Sequence, residues 1–303
     1  MSKTALLFPG QGAQQLGMGA GLLARFPAAR SYFDRASAVL GYDLFELCQN
    51  GPDDRLNATD HCQPALFVHS VASLASLLDQ QPDLMGSVLA VAGLSLGEYS
   101  ALAAAGVLSF EDGVRLVQER GAAMQAASEA QPSGMASVLG MSVEDVQSVC
   151  DIARQKDEVL LVANLLCPGN TAISGHAASV AAAQGVATEK GALKVVPLSV
   201  AGAFHTPIMN PAVERLRSAL ANVPMKKASV ALYSNVDAAP HFEPNEFQEL
   251  LAKQVVTPVL WEATLRNLIA LGVERFYEVG PGRVLAGTLK RIDRKIICEI
   301  VGD

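Results

Sequence analysis

Short hydrophobic runs alternate along the chain with longer segments in which hydrophobic residues recur every three or four positions. The short runs predict buried strands, which lie at 5–8, 88–92 and 275–279. The longer segments predict amphipathic helices, which lie at 63–78, 97–105, 111–127, 211–221, 247–255 and 262–270, with a further one beginning at 284. This alternation of strands and helices predicts an α/β fold with a parallel sheet in its core.

Residues 131–197 show a different order of predicted elements. These elements are strands at 135–139, 159–163, 171–174 and 193–196 and helices at 143–154 and 177–190. The resulting β-α-β-β-α-β order is the split βαβ unit of ferredoxin-like domains. We therefore predict a large core, residues 1–130 and 198–303, with a small ferredoxin-like subdomain inserted at 131–197 and an active site in the cleft between them.

The sequence G-L-S-L-G at 93–97 joins the predicted strand at 88–92 to the helix that follows. A G-x-S-x-G sequence at such a turn is typical of a nucleophile elbow, a strained bend that exposes the hydroxyl of Ser95 at a helix N-terminus. The unpaired N–H groups there favour developing negative charge. The alternative is a glycine-bounded turn whose serine only caps the helix. The strand-turn-helix context favours the elbow and a core similar to that of α/β-hydrolases.

An activated serine needs a base, and the chain has five histidines. His205 lies where the chain returns from the inserted subdomain to the core, which makes it the candidate base; the alternative is an ordinary loop histidine. The other histidines are interpreted as structural or solvated, namely His61, His69, His176 and His241. No acidic residue between Ser95 and His205 resembles the third member of a triad. A serine–histidine pair alone suits an activated ester or thioester better than an amide.

Arg120 lies in an apolar row of the predicted helix at 111–127, next to Leu116, Val117 and Met124. An arginine that faces inward needs a carboxylate or phosphate partner. One interpretation is a structural ion pair within the protein. The other is a bidentate clamp for the carboxylate of a substrate, for which the planar guanidinium is better suited than an amine.

The segment at 8–14 reads F-P-G-Q-G-A-Q and follows the first predicted strand. Its glycines let the backbone of Gln11 approach another group closely. The N–H of Gln11 is therefore a candidate donor to an oxyanion hole, together with the N–H of Leu96. The segment matches neither G-x-x-x-x-G-K nor G-x-G-x-x-G, so a phosphate-binding loop is excluded.

Composition narrows the class of protein further. The chain has 303 residues and a formal net charge of −7, with 50% hydrophobic and 17% charged residues, as in a globular enzyme that binds neither nucleic acid nor an anionic membrane. The longest mainly apolar stretch, 84–94, is about half as long as a membrane-spanning helix. The five cysteines show no C-x-x-C spacing, and the first residues show no signal-peptide pattern. We expect a cytoplasmic monomer with no metal and no cofactor.

Together these segments resemble the malonyl-CoA:acyl-carrier-protein transacylase family over nearly the whole chain. The matching segments are F-P-G-Q-G-A-Q at 8–14, G-L-S-L-G-E-Y-S-A-L at 93–102, Q-E-R-G at 118–121, A-F-H at 203–205 and K-Q-V-V-T-P-V at 253–259. The resemblance implies that Ser95 takes a malonyl group from coenzyme A as an ester and passes it to the phosphopantetheine thiol of acyl carrier protein. Malonyl-CoA is then a substrate that supplies fatty acid synthesis.

The resemblance also implies how the reacting groups are arranged. His205 acts as general base and then as general acid, and the main-chain carbonyl of Gln254 orients its imidazole in place of a triad acid. The N–H groups of Gln11 and Leu96 form the oxyanion hole around the carbonyl that Ser95 attacks.

Substrate recognition follows from the same resemblance. Arg120 holds the free malonyl carboxylate, and Phe204 resembles the bulky residue that crowds the branch of a methylmalonyl group. Asn164 is a substrate contact in a segment that matches only in part. Leu94 occupies the position before the nucleophile, where the family commonly has histidine.

Three alternatives remain at this stage: a discrete acyltransferase of a polyketide or malonate decarboxylase system, a serine esterase or thioesterase, and a non-catalytic carrier-binding scaffold. An acidic carrier protein requires a positively charged surface despite the net negative charge. The candidate residues are Lys290, Arg291, Arg294 and Lys295 near the C-terminus, or Lys190 and Lys194.

Overall fold

A computed structural model describes residues 3–302 and contains two sheets with helices packed against them. In chain order the strands are β1 (Thr4–Phe8), β2 (Val88–Gly93), β3 (Ser133–Leu139), β4 (Leu160–Cys167), β5 (Asn170–His176), β6 (Lys194–Pro197), β7 (Ala231–Tyr233), β8 (Pro240–His241), β9 (Arg275–Val279) and β10 (Ile297–Val301). The α-helices are α1 (Ala20–Arg25), α2 (Arg30–Leu40), α3 (Leu44–Asn50), α4 (Asp53–Asn57), α5 (Thr59–Gln80), α6 (Gly97–Ala104), α7 (Phe110–Glu129), α8 (Val143–Ala153), α9 (Ala177–Glu189), α10 (Asn210–Ala221), α11 (Pro244–Gln254), α12 (Trp261–Ala270) and α13 (Val284–Ile292).

The large sheet has the strand order β10-β9-β1-β2-β7-β8. Its strands are parallel except for the edge strand β8, which pairs antiparallel with β7. The expected α/β core is thus confirmed, with one antiparallel edge that the sequence did not predict. β1 and β2 are neighbours whose last residues, Phe8 and Gly93, pair with each other. Because the two strands run in parallel, the turns that follow them lie side by side at the carboxyl edge of the sheet.

The small sheet is antiparallel and has the order β4-β5-β3-β6, with α8 and α9 packed against it. Its elements follow the chain as β3-α8-β4-β5-α9-β6, which is the ferredoxin-like arrangement expected from the sequence. All of these elements lie between Ser133 and Pro197. The division of the chain into 1–130 with 198–303 and 131–197 stays a prediction.

Besides the chain itself, backbone hydrogen bonds join the small sheet to Val259, which lies between α11 and α12 of the larger part. The N–H of Leu165 donates to the carbonyl of Val259 at 2.9 Å, and the N–H of Val259 donates to the carbonyl of Ala163 at 2.8 Å. In addition, Ser174 Oγ donates to the carbonyl of Phe204 at 2.8 Å. The small sheet thus contacts both the connection before α12 and the loop that carries His205.

The helices α5 and α7 pack against each other beside the large sheet. Both carry long buried faces, and α7 contains Arg120. Within residues 3–302, none of the helices combines the length and the apolar character that crossing a membrane requires.

Several elements were absent from the sequence prediction. They are the helices α1 to α4 and the strands β7, β8 and β10. β7 and β8 have three and two residues, too few to show a period. β10 is an edge strand in which Ile297 is 65% exposed, so its sequence does not form the continuous apolar run of a buried strand.

Candidate active site

The turn between β2 and α6 holds Ser95 in a left-handed backbone conformation, with φ of 50°. Such a conformation strains any residue other than glycine and persists only where surrounding contacts enforce it. The N–H of Ser95 donates to Asn235 Oδ1 at 2.6 Å, and Asn235 Nδ2 donates to the carbonyl of Gly93 at 2.7 Å. The side chain of Asn235 therefore clamps the bend from both sides. This is the strained strand-to-helix turn that the sequence predicted.

The elbow lies in backbone contact with the turn after β1. A Cβ added to Gly97 would lie 2.1 Å from the carbonyl oxygen of Phe8, and a Cβ added to Gly10 would lie 2.2 Å from the carbonyl oxygen of Leu94. Neither position has room for a side chain. The two turns are thereby brought together, as the glycines of both motifs suggested.

His205 lies next to the serine. Its Nε2 is 2.9 Å from Ser95 Oγ, and its Nδ1 is 2.9 Å from the main-chain carbonyl oxygen of Gln254. Because a carbonyl oxygen only accepts, Nδ1 carries the hydrogen and Nε2 has a lone pair available for the serine proton. His205 is 3% exposed and also has a left-handed φ, of 62°. This geometry allows a neutral imidazole to deprotonate the hydroxyl without a carboxylate behind it.

Burial lowers the pKa of His205 to about 4, an effect opposed by its hydrogen bond to the Gln254 carbonyl and reinforced by the charge of Arg120. A base must be neutral to accept a proton, and His205 is neutral at any pH above this pKa. We therefore expect the rate at which a fluorophosphonate labels Ser95 to be constant from about pH 6 to pH 8 and to fall only as the pH drops towards the value for His205. The measurement is the second-order labelling rate constant across this range, with the fold monitored by circular dichroism. An inflection near the ordinary histidine pKa of about 6.5 would contradict the expectation.

Arg120 extends from α7 into the same site and is 1% exposed. Its Nη2 donates to Ser95 Oγ at 3.1 Å and to Gln254 Oε1 at 2.9 Å, and its guanidinium lies 5.5 Å from the centre of the Tyr99 ring. Burial lowers the pKa of Arg120, while Tyr99 and Glu98 oppose that shift. Within residues 3–302, no carboxylate forms an ion pair with it, and its Nε has no hydrogen-bond partner. Of the two interpretations of Arg120 drawn from the sequence, the structure therefore does not support a structural ion pair within the described residues.

A cavity of about 60 Å³ brings together most of the residues expected at the site. Those that line it are Gln11, Ser95, Arg120, Asn164, Phe204 and His205. Leu94 also lines this cavity and adds an apolar side chain to its wall. A cavity of this size with a cation in its wall suits a short anionic group rather than a long acyl chain.

Two backbone amides near the serine are available as donors. Within the described part of the chain, neither the N–H of Gln11 nor that of Leu96 donates to a protein acceptor. Leu96 immediately precedes α6, where the N–H groups of the first turn lack helical partners. Amides placed in this way can bind the negative charge that forms on a carbonyl oxygen under attack.

Two polar residues of the site were missed by the sequence analysis. Asn235 follows the short strand β7, and nothing in the local sequence marks it. Glu98 follows Ser95 by three residues; its Oε2 accepts from Gln254 Nε2 at 2.7 Å and from the N–H of Asn235 at 3.1 Å rather than from His205. Only the fold shows that these residues, far apart in sequence, meet behind Ser95.

The other histidines lie away from the cavity. His61, His176 and His241 bond to Asp60, Gln131 and Asp237, and His69 bonds to Ser73 within α5. Within residues 3–302, no cluster of three or more His, Cys, Asp or Glu side chains is arranged to hold a metal ion.

Comparison with known proteins adds an independent line of information. A profile described as acyl transferase domain matches residues 5–302. Over 305 aligned residues the chain is 42% identical to the malonyl CoA-acyl carrier protein transacylase of Bacillus subtilis, covering 100% of this chain and 94% of that protein. It is 43% identical to the mitochondrial malonyl-CoA-acyl carrier protein transacylase of Homo sapiens, covering 95% of this chain and 76% of that protein.

Solved structures agree with the sequence relatives. The crystal structure of malonyl-CoA:acyl carrier protein transacylase from Xanthomonas oryzae superposes with a TM-score of 0.94 at 40% identity, covering 99% of this chain and 94% of that one. A malonyl-transacylase in complex with a type II polyketide synthase acyl-carrier protein also superposes with a TM-score of 0.94, at 35% identity, covering 100% of this chain and 96% of that one.

Proposed function

The chain belongs to the acyl transferase domain family, and on that premise we propose that it transfers the malonyl group of malonyl-CoA to the phosphopantetheine thiol of acyl carrier protein, supplying extender units for fatty acid synthesis. The observation that carries this proposal is the position of Arg120. A buried guanidinium without a carboxylate partner lies in direct contact with the nucleophilic hydroxyl.

The reaction takes place in two steps through one ester. Ser95 Oγ attacks the thioester carbonyl of malonyl-CoA while His205 Nε2 takes its proton. The carbon–sulfur bond then breaks, the leaving coenzyme A thiolate takes the proton from His205, and malonyl-serine remains. In the second step the carrier thiol gives its proton to His205 and attacks the ester. Ser95 recovers the proton as its bond to the malonyl carbon breaks.

Main-chain groups stabilise both steps in this proposal. The N–H groups of Gln11 and Leu96 bind the oxyanion of each tetrahedral intermediate. The carbonyl of Gln254 keeps the His205 imidazole in the tautomer that can accept the serine proton, and it stabilises the imidazolium that forms.

Specificity for malonyl rests on charge in this scheme. The malonyl carboxylate completes the hydrogen bonding of Arg120, whereas an acetyl group leaves the buried cation without an anion. Phe204 lines the cavity, and in this proposal its ring crowds the branch of a methylmalonyl group. Asn164 Oδ1 has no partner among the described residues and is available to bind a substrate N–H.

A basic pocket supports acyl carrier protein as the partner. Lys290, Arg291 and Arg294 line a surface pocket of about 590 Å³ together with Pro168, which follows β4. Within residues 3–302 none of these cations forms an ion pair, so they are available to acidic side chains or phosphate groups. A carrier from a polyketide synthase is the alternative acceptor, because such a carrier is the partner in the complex of the structural relative.

The remaining expectations stay proposals. The five cysteines are free in the structure, which accords with the proposed cytoplasmic location. The monomeric state and the absence of a cofactor are likewise predictions, with malonyl-CoA serving as a substrate.

The proposed function is tested by following the malonyl group from donor to acceptor. We expect intact mass analysis to show one malonyl adduct after incubation with malonyl-CoA, and holo acyl carrier protein to discharge it at least about tenfold faster than water, since the bound thiol is held beside the ester. Release of free malonate at the same rate with and without carrier would indicate a hydrolase instead. The absence of any adduct would indicate a non-catalytic scaffold.

A further inference from the structure

Glu98 is a buried carboxylate that takes no part in the transfer steps described above. It lies in the first turn of α6, three residues after the nucleophile, and is 1% exposed. Burial raises its pKa to about 7, although hydrogen bonds from Asn235, Gln254 and Ser234 oppose that shift. An acid in this setting destabilises the fold unless its bonds compensate for lost hydration. Those bonds connect it to both halves of the site.

One connection runs through the side chain of Gln254. Its Nε2 donates to Glu98 Oε2 at 2.7 Å and to the carbonyl of Ser95 at 3.0 Å, while its Oε1 accepts from Arg120 at 2.9 Å. An amide whose nitrogen lies between two acceptors cannot reverse its orientation without losing both bonds. Glu98 and the carbonyl of Ser95 together therefore hold the oxygen of Gln254, and not its NH₂ group, towards Arg120.

The second connection runs through Asn235. The N–H of Asn235 donates to Glu98 Oε2 at 3.1 Å, and its side chain holds the strained turn at the N–H of Ser95 and the carbonyl of Gly93. The backbone that presents Asn235 to the nucleophile is thus anchored to the same carboxylate oxygen that anchors Gln254. Both bonds converge on Oε2, so a neutral acceptor oxygen in that place can also receive them.

We propose that Glu98 is a positioning residue that holds the nucleophilic bend and the guanidinium of Arg120 in one hydrogen-bonded network. It contacts neither the acyl group nor the proton that moves, and it acts through Asn235 and Gln254. Its effect on malonyl selectivity rests on the proposed function, whereas its effect on the reactivity of Ser95 does not.

The test compares two substitutions of nearly equal size. Glu98→Met fills the volume of the side chain but offers no acceptor, so the N–H donors of Gln254 and Asn235 lose their partner. Glu98→Gln keeps an oxygen for both N–H donors. Glu144→Gln, an exposed position on α8, is the matched control for the change from carboxylate to amide.

Two rates are measured on each folded variant. The first is labelling by a fluorophosphonate, in which Ser95 Oγ bonds to phosphorus, fluoride leaves and His205 takes the serine proton. The second is adduct formation from malonyl-CoA relative to acetyl-CoA. We expect Glu98→Met to lower both the labelling rate and the malonyl preference about tenfold, the loss typical of buried donors without acceptors. Glu98→Gln should stay within about threefold of the native protein, and Glu144→Gln should be unchanged.

Three results would overturn the proposal. The first is a folded Glu98→Met protein with the native labelling rate and the native malonyl preference. The second is a Glu98→Gln protein, which keeps the acceptor oxygen, that loses as much labelling rate and malonyl preference as Glu98→Met. If Glu98→Met does not fold, Gln254→Met removes the hydrogen bond between Gln254 and Glu98 from the other side. The third result that would overturn the proposal is an unchanged malonyl preference in Gln254→Met. A native protein that is labelled but forms no malonyl adduct would count against the proposed function alone.

Discussion

Ser95→Ala is expected to eliminate the malonyl adduct and to lower the transfer rate by at least about 10⁴-fold. The proposed path requires an oxygen that forms and breaks an ester, and alanine offers none, while the remaining groups still bind the donor. We therefore expect the loss in kcat with little change in the affinity for malonyl-CoA. The measurements are intact mass after incubation with donor and the rate of transfer to holo acyl carrier protein.

The matched control for this substitution is Ser218→Ala. Ser218 is an exposed serine on α10, outside the cavity. It should keep native adduct formation and native transfer. An adduct that persists in Ser95→Ala would show that another side chain carries the acyl group, and the two-step path proposed here would then be wrong.

Arg120→Met is expected to reverse the donor preference. Methionine keeps much of the buried volume but removes the cation, so the malonyl carboxylate enters the cavity without a partner, and an unpaired buried charge costs about 2–5 kcal/mol. We expect kcat/KM for malonyl-CoA to fall about 100-fold or more, while transfer from acetyl-CoA falls much less or rises. The measurement is a competition between malonyl-CoA and acetyl-CoA with carrier protein as acceptor.

Arg115→Met provides the control on the same helix. Arg115 has 57% of its side chain exposed and pairs with Asp112 at the surface. It should leave the donor preference unchanged. If Arg120→Met lowered the rates with both donors equally, Arg120 would be a structural residue and the basis of the proposed selectivity would be lost.

The sequence predicts those parts of the candidate site whose signals are local. Ser95 lies in a pentapeptide whose turn geometry follows from its own residues, and the inward position of Arg120 follows from the apolar neighbours on its helix. The structure brings both to His205. The hydrogen-bond partner of Arg120 could not be predicted from local sequence, because Gln254, whose side-chain amide accepts from Arg120, lies 134 positions away along the chain.

The same reason explains the two residues that were missed. Asn235 is separated from Ser95 by 140 positions, and it follows a strand of three residues that leaves no periodic pattern. Glu98 is one of the acids between Ser95 and His205 in which the sequence shows no triad member, and nothing in its helix indicates that it bonds Gln254 and Asn235 instead. Local periodicity predicts which elements form; it does not predict which polar groups meet when distant elements pack.

The glycine-lined contact between the turn after β1 and the elbow has a consequence for how the site responds to substrate. Because backbone lies directly against backbone here, the amides of Gln11 and Leu96, which we propose as the oxyanion hole, are held in place before malonyl-CoA binds. Little entropy is then lost in ordering these amide dipoles when malonyl-CoA binds. Their hydrogen bonds to the proposed oxyanion reach full strength as soon as negative charge develops on the substrate oxygen.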